Sequence, residues 1–219
     1  MQKDIVKDKP GVKIIEGIHY ETGKQVNIAI QEGFIISITD TQNTKAKSQN
    51  LFVAPGLIDN QINGYRGTDF SDGTLTTEKM KKAIEFIWSD GATSFLPTII
   101  TNSHENLVKN FRNLADTLKD ELIRESVPGF HLEGPYISPE EGYYGCHPVL
   151  HIRKPSWDEF IEYQESASGN IVQITLSPEL EGAPEFIELC TQNGIIVALG
   201  HTNASSEQIN IAVEKGARI

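Results

Sequence analysis

The chain has 219 residues, of which 38% are hydrophobic and 22% charged, as in an ordinary globular protein. No apolar run approaches the roughly 20 residues that cross a bilayer, and the first four residues are too polar to open a secretory signal, so we expect a cytoplasmic protein with no membrane partner. The formal net charge of −11 argues against nucleic acid as a partner. It does not exclude an anionic small substrate, because helix N-termini can hold a phosphate.

The two cysteines, Cys146 and Cys190, could form at most one bridge and lack a Cys-x-x-Cys spacing. We therefore expect free thiols and neither a disulfide framework nor a structural zinc site.

Residues 12–40 alternate short apolar strands with turn signals, which predicts a small antiparallel β unit. Residues 41–50 are polar and are expected to form a surface connection. We therefore place an N-terminal domain at residues 1–50, as part of a β-sandwich, and a second domain at residues 51–219.

Five units of strand followed by helix fill the second domain, which is the pattern of a parallel α/β fold. The predicted strands are LFVAPGLID, ATSFLPTII, VPGFHLEG, NIVQITLSP and GIIVALGHT, and the predicted helices cover residues 76–90, 103–123, 156–167, 183–194 and 205–216. A complete (β/α) barrel typically needs about 250 residues. The expected fold is an incomplete TIM-like barrel of about five βα units, preceded by the small antiparallel β-sandwich unit.

Polar residues follow each predicted strand, where the active sites of barrels are built. They are Asp59, Gln61 and Asn63; Thr98 and Thr101; Glu133; Ser177 and Glu179; His201 and Thr202. Glu133 ends an apolar run before Gly134-Pro135, with His131 and His147 close in sequence. Alone, Glu133 could be a structural acid, and a single histidine such as His201 is more often packed or superficial. Glu133 and His201 together at strand ends offer a carboxylate and an imidazole, both of which are ligands of zinc and ferrous iron.

Five separated motifs resemble those of the N-acetylglucosamine-6-phosphate deacetylase family of the amidohydrolase superfamily. They are PGLIDNQINGYRGTDF, GATSFLPTII, HLEGPYISP, GCHP and LGHTNAS, in this order. The resemblance implies that Glu133 and His201 bind the metal and that His147 helps to hold the substrate's acetyl group. Cys146 stands where the family usually has alanine. It is next to His147 and is not itself one of the implied site residues.

The first predicted strand carries Gln61-Ile62-Asn63 where many amidohydrolases have His-x-His. Within the family this implies one divalent metal ion, zinc or ferrous iron, with Gln61 and Asn63 among the substrate-binding residues. The alternative is that both are ordinary polar loop residues.

The family's next motif, Thr-His-Leu-Phe-Asn-Ala-Met, is expected directly after the last residues of this chain. The resemblance therefore implies that the chain is a fragment. The third metal ligand, the aspartate that serves as catalytic base and the phosphate-binding residues are expected beyond Ile219, so we assign no catalytic residue within the chain.

The implied reaction is metal-dependent removal of the acetyl group from N-acetylglucosamine-6-phosphate. The implied partner is a small amino-sugar phosphate, and the full-length enzyme is expected to be a homodimer. Two other hypotheses remain open: a non-catalytic βα scaffold or sugar-phosphate-binding relative, and, less favoured because His-x-His is missing, an amidohydrolase acting on cyclic amides or nucleobases.

Overall fold

The computed structural model describes residues 11–41 and 51–219. The chain divides into two compact units, Met1–Pro55 and Gly56–Ile219. Nearly all of the expected surface connection, residues 42–50, and the first ten residues lie outside the described part.

The first unit is a four-stranded sheet built from β1 (Val12–His19), β2 (Gln25–Gln31), β3 (Phe34–Asp40) and β4 (Phe52–Val53). Its order is β3-β2-β1-β4, with β1–β2 and β2–β3 antiparallel and the short β4 parallel to β1. Glu32 and Gly33 have φ of 50° and 82° in the β2–β3 turn, the left-handed backbone that a two-residue hairpin requires. The predicted antiparallel unit is confirmed as a sheet of its own.

The second unit is a parallel five-stranded sheet that curls as half of a barrel. Its strands are β5 (Leu57–Ile62), β8 (Ala92–Ile100), β9 (Phe130–Glu133), β10 (Ile171–Leu176) and β11 (Ile196–Leu199), in the order β11-β10-β9-β8-β5. A small hairpin of β6 (Gly64–Tyr65) and β7 (Thr68–Asp69) follows β5. The predicted incomplete barrel of five βα units is thereby confirmed.

Six helices of this unit are described, with one 3-10 turn at Val149–His151. They are α1 (Thr77–Ser89), α2 (His104–Thr117), α3 (Glu121–Ser126), α4 (Trp157–Ser166), α5 (Ala183–Gln192) and α6 (Ser206–Glu214). None of the helices in the described ranges is long and apolar enough to cross a membrane.

Two element predictions were wrong in detail. The segment LFVAPGLID is not one strand: Pro55 and Gly56 interrupt it, so its first part pairs with β1 and its second part with β8. The helix predicted over residues 103–123 is two helices, because Asp120 starts a new one by accepting a hydrogen bond from the backbone N–H of Ile123.

Alternate residues of each parallel strand face opposite sides of the sheet. On β9, Phe130 and Leu132 belong to the hydrophobic core shared with the helices, and the ring of Phe130 lies 6.4 Å from that of Phe111 on α2. His131 and Glu133 therefore face the concave side, which becomes the interior of the half-barrel.

Buried polar side chains line that interior beneath Glu133. The Nε2 of His131 lies 2.8 Å from Thr175 Oγ1, and its Nδ1 lies 3.3 Å from Thr98 Oγ1. Gln173 Nε2 donates to the carbonyl of Asn60 at 3.4 Å. Burial lowers the pKa of His131 to about 4, against the opposing attraction of the Glu133 carboxylate. His131 is consequently a neutral imidazole in the folded protein.

This burial predicts an acid-sensitive stability. The pKa of His131 is lower in the folded chain than the unfolded value of about 6.5. The contribution of His131 to the free energy of unfolding is therefore complete above pH 6.5 and is lost as the pH falls toward 4. Between pH 7 and pH 4 the chain should lose about 3 kcal/mol more unfolding free energy than His131→Gln. Urea unfolding at a series of pH values measures the difference. His151→Gln, at a partly exposed histidine, is the matched control. Parallel pH curves for the chain and His131→Gln would contradict the assignment.

Candidate metal centre and active site

The candidate site lies at the C-terminal edge of the parallel sheet. Glu133 is the last residue of β9, Gln61 lies near the end of β5 and Asn63 directly follows that strand. His201 comes two residues after β11. Because all these strands are parallel, their ends meet at one edge, and side chains far apart in sequence come within bonding distance.

Glu133 is buried and receives hydrogen bonds on both carboxylate oxygens. Gln61 Nε2 donates to Oε1 at 2.8 Å and Asn63 Nδ2 donates to Oε2 at 3.2 Å. The amides of the first strand therefore hold the carboxylate of the third in a fixed orientation.

His201 presents its Nε2 to the same carboxylate, 3.1 Å from Glu133 Oε1. Its Nδ1 lies 2.9 Å from the backbone carbonyl of Tyr143, which can only accept, so Nδ1 carries the proton of the neutral ring. The Nε2 lone pair then faces a carboxylate oxygen. Two acceptors at this distance repel each other unless a positive charge lies between them, either a proton on the ring or a metal cation.

The backbone at His201 is held in an uncommon conformation, with φ of 53°. Its carbonyl accepts hydrogen bonds from Ser138 N at 3.0 Å and from Ser177 Oγ at 2.6 Å. These bonds fix the turn that aims the imidazole at Glu133.

His147 joins the pair from the long loop that follows β9. Its ring centroid is 4.4 Å from that of His201, and its Nε2 is 3.9 Å from Glu133 Oε1. Burial first, and then the neighbouring His201, lower the pKa of His147, while Glu133 acts in the opposite direction. The ring is buried and its Nδ1 lies 2.7 Å from Thr101 Oγ1.

One possible ligand atom from each of Glu133, His147 and His201 lies within 4.8 Å of the others. In a tetrahedral zinc site with bonds of about 2.1 Å, ligand atoms are about 3.4 Å apart. The separation of 3.1 Å between Glu133 Oε1 and His201 Nε2 agrees with that spacing. The donor set, a carboxylate and imidazole nitrogens, therefore fits a divalent cation such as zinc or ferrous iron.

The other polar residues predicted at strand ends serve local structure. Asp59 accepts from Gln61 N at 3.0 Å, and Glu179 binds the hydroxyl of Thr202. Thr98 belongs to the buried network beneath the site. None of them belongs to the group of possible metal ligands in the described part of the chain.

An ion pair that sequence reasoning missed anchors the loop of His147. Arg153 Nε donates to both carboxylate oxygens of Glu159, at 2.8 and 3.0 Å, and Tyr136 Oη donates to Glu159 at 2.7 Å. Arg153 N also donates to the carbonyl of Pro135 at 3.1 Å, which ties the two ends of the loop together. In the sequence, the pattern Ser156-x-x-Glu159 is typical of a helix N-cap, and Ser156 Oγ does accept a hydrogen bond from Glu159 N. Nothing in that pattern showed the partners of the carboxylate.

No family model matches the chain. It is 34% identical over 181 residues to N-acetylglucosamine-6-phosphate deacetylase of Caenorhabditis elegans, which covers 78% of the chain and 42% of that protein. The corresponding enzyme of Bacillus subtilis is 30% identical over 206 residues, 90% of the chain and 51% of that protein. N-acetylgalactosamine-6-phosphate deacetylase of a Shewanella species is 33% identical over 162 residues, 74% of the chain and 39% of that protein.

The fold agrees with these sequence matches. A crystal structure of N-acetylglucosamine-6-phosphate deacetylase from Thermotoga maritima superposes with a TM-score of 0.78 at 27% identity, over 94% of this chain and 53% of that one. The chain spans about half the length of the curated relatives it matches. On sequence and fold together, it belongs to the family of the N-acetylglucosamine-6-phosphate deacetylases.

Proposed function

We propose that this chain forms part of a metal-dependent amide hydrolase that converts N-acetylglucosamine-6-phosphate to glucosamine-6-phosphate and acetate. The observation that carries the proposal is the imidazole lone pair of His201 facing the Glu133 carboxylate at 3.1 Å, in a chain homologous to enzymes named for this reaction. The homodimer and the cytoplasmic location stay predictions from the sequence.

Glu133 and His201 are the proposed ligands of one divalent cation, zinc or ferrous iron. Such a cation, when bound, polarises an amide carbonyl and lowers the pKa of a bound water. The chain's own contribution is orientation: the carbonyl of Tyr143 selects the nitrogen that His201 presents, and Gln61 and Asn63 hold the carboxylate.

His147 is the proposed contact to the substrate's acetyl group. Its buried ring lies beside the cluster, with Nε2 on the side of Glu133. A hydrogen-bond donor there would stabilise negative charge that develops on the acetyl oxygen. Gln61 and Asn63 are both exposed, so we keep them as proposed substrate contacts in addition to their bonds to Glu133.

A second candidate substrate is N-acetylgalactosamine-6-phosphate, because one relative of similar identity is named for it. The two sugars share the acetamido group and the phosphate. Acetate release measured with each substrate in parallel, on the protein expressed from its complete reading frame, distinguishes them. Release from neither would favour a non-catalytic scaffold.

The metal assignment predicts a loss of affinity in Glu133→Gln, which removes the negative charge and nearly preserves the shape. Zinc affinity of residues 1–219 should fall more than tenfold, since even residues that only support a ligand change affinity by about 10–100-fold. Isothermal titration calorimetry measures it. Glu188→Gln is the control for charge, because Glu188 pairs with Lys215 at 2.9 Å on the surface. Equal affinities of both variants would refute the site.

The role of His147 predicts a different pattern. In the protein expressed from its complete reading frame, His147→Gln should lower the turnover number by about 10², as loss of an oxyanion donor does. Metal content, measured by mass spectrometry, should stay normal. His151→Gln serves as the control in the same loop. Metal loss in His147→Gln would show that His147 is itself a ligand.

The ligand count predicts that residues 1–219 alone release no acetate from N-acetylglucosamine-6-phosphate. Catalytic zinc sites normally have three protein ligands, and Glu133 and His201 supply two. No aspartate belongs to the cluster found in the described part of the chain. The assay uses the purified chain loaded with zinc or ferrous iron. Turnover comparable with that of an intact deacetylase would show that the catalytic residues have been assigned wrongly.

A further inference from the structure

The hydroxyl of Thr101 is buried next to His147. Thr101 follows β8, is 1% exposed, and its Oγ1 lies 2.7 Å from His147 Nδ1. Within the described ranges this is the one hydrogen bond of the Thr101 side chain. A hydroxyl has one proton to donate and lone pairs that accept, whereas a neutral imidazole has one nitrogen of each kind.

The direction of this bond follows from the burial of the hydroxyl. If His147 Nδ1 donated, the buried proton of Thr101 would have no acceptor, which is unfavourable. If Thr101 donates, its proton is satisfied and the lone pair of Nδ1 is used. The proton of the His147 ring then lies on Nε2, the nitrogen 3.9 Å from Glu133 Oε1, where a carboxylate favours a donor.

The neighbouring histidine shows the opposite arrangement. The Nδ1 of His201 meets a backbone carbonyl, which cannot donate, so its Nε2 is left with a lone pair. Two rings only 4.4 Å apart therefore both point Nε2 at the carboxylate, but in different protonation states. His201 offers a metal-binding lone pair, and His147 offers an N–H.

Packing holds Thr101 in this position. Gly134 has φ of 77°, and a Cβ there would lie 2.1 Å from Thr101 Oγ1 and 3.6 Å from His147 Nδ1. Any larger residue would displace the hydroxyl. The close approach of the Gly134 backbone thus leaves room for the Thr101–His147 bond.

We propose that Thr101 is a positioning residue that fixes His147 as an Nε2–H donor, and thereby makes His147 a contact to the substrate's carbonyl oxygen rather than a third metal ligand. This inference rests on the proposed deacetylase function for its substrate, but the state of the ring can be measured without activity.

The first test is the ring proton itself. Long-range ¹H–¹⁵N spectra of residues 1–219, labelled with ¹⁵N-histidine and free of metal at pH 8, report which nitrogen of each ring is protonated. His147→Gln identifies the His147 signals. We expect the Nε2–H form at His147. The Nδ1–H form in the unsubstituted chain would overturn the proposal.

The second test removes the hydroxyl. In Thr101→Val, which keeps the branched shape, the His147 Nδ1 resonance should move downfield toward that of a free lone pair, and Thr101→Ser should restore it. Zinc affinity should stay within about twofold in both variants, because His147 is not a ligand. An unmoved Nδ1 resonance in Thr101→Val, or a tenfold loss of zinc affinity, would overturn the role. If Glu133→Gln binds zinc normally while the ring results hold, the metal-dependent function fails and the assignment of Thr101 stands.

Discussion

The site depends on one electrostatic constraint: a buried carboxylate faces a nitrogen lone pair that the backbone has fixed in place. The Tyr143 carbonyl accepts a hydrogen bond from Nδ1–H, the only N–H of the neutral His201 ring. Gln61 and Asn63 donate hydrogen bonds that prevent Glu133 from turning away. Repulsion between the two acceptors is relieved by a positive charge. Because Glu133 is buried, this repulsion is stronger than it would be between two groups on an open surface. The chain's own hydrogen bonds therefore hold the two proposed metal ligands in place.

Sequence patterns predicted the parts of the site that depend on strand periodicity. Glu133 and His201 each follow an apolar run, and parallel strands must bring such ends together, so their meeting could be predicted. The partners of the two histidines could not. A backbone carbonyl such as that of Tyr143 leaves no signal in the residue type, and Thr101 was only one of several polar residues at strand ends. Which proton each ring carries depends on contacts between segments 46 and 58 residues apart.

The two wrong element predictions also arose because periodic patterns are visible in the sequence and individual contacts are not. Apolar periodicity continues through residues 103–123 and through LFVAPGLID, so one helix and one strand were predicted. The breaks come from Asp120, whose side chain caps a new helix, and from Pro55-Gly56, where the chain leaves one sheet for the other. The hydrophobic pattern fits one continuous element as well as it fits two separate ones. Local features such as the Asp120 cap decide between them.

The order of strands in the parallel sheet repeats their order in the chain, from β5 to β11. Each new strand can therefore dock on the one made just before it, and such sequential contacts favour folding during synthesis from the N-terminus. Glu133 is added with β9, the third of the five strands, whereas His201 is added only after β11, the last strand. A nascent chain thus makes all five strands of its half-barrel before it makes His201, the second of the two proposed metal ligands, so that most of the sheet can form before a cation could be bound.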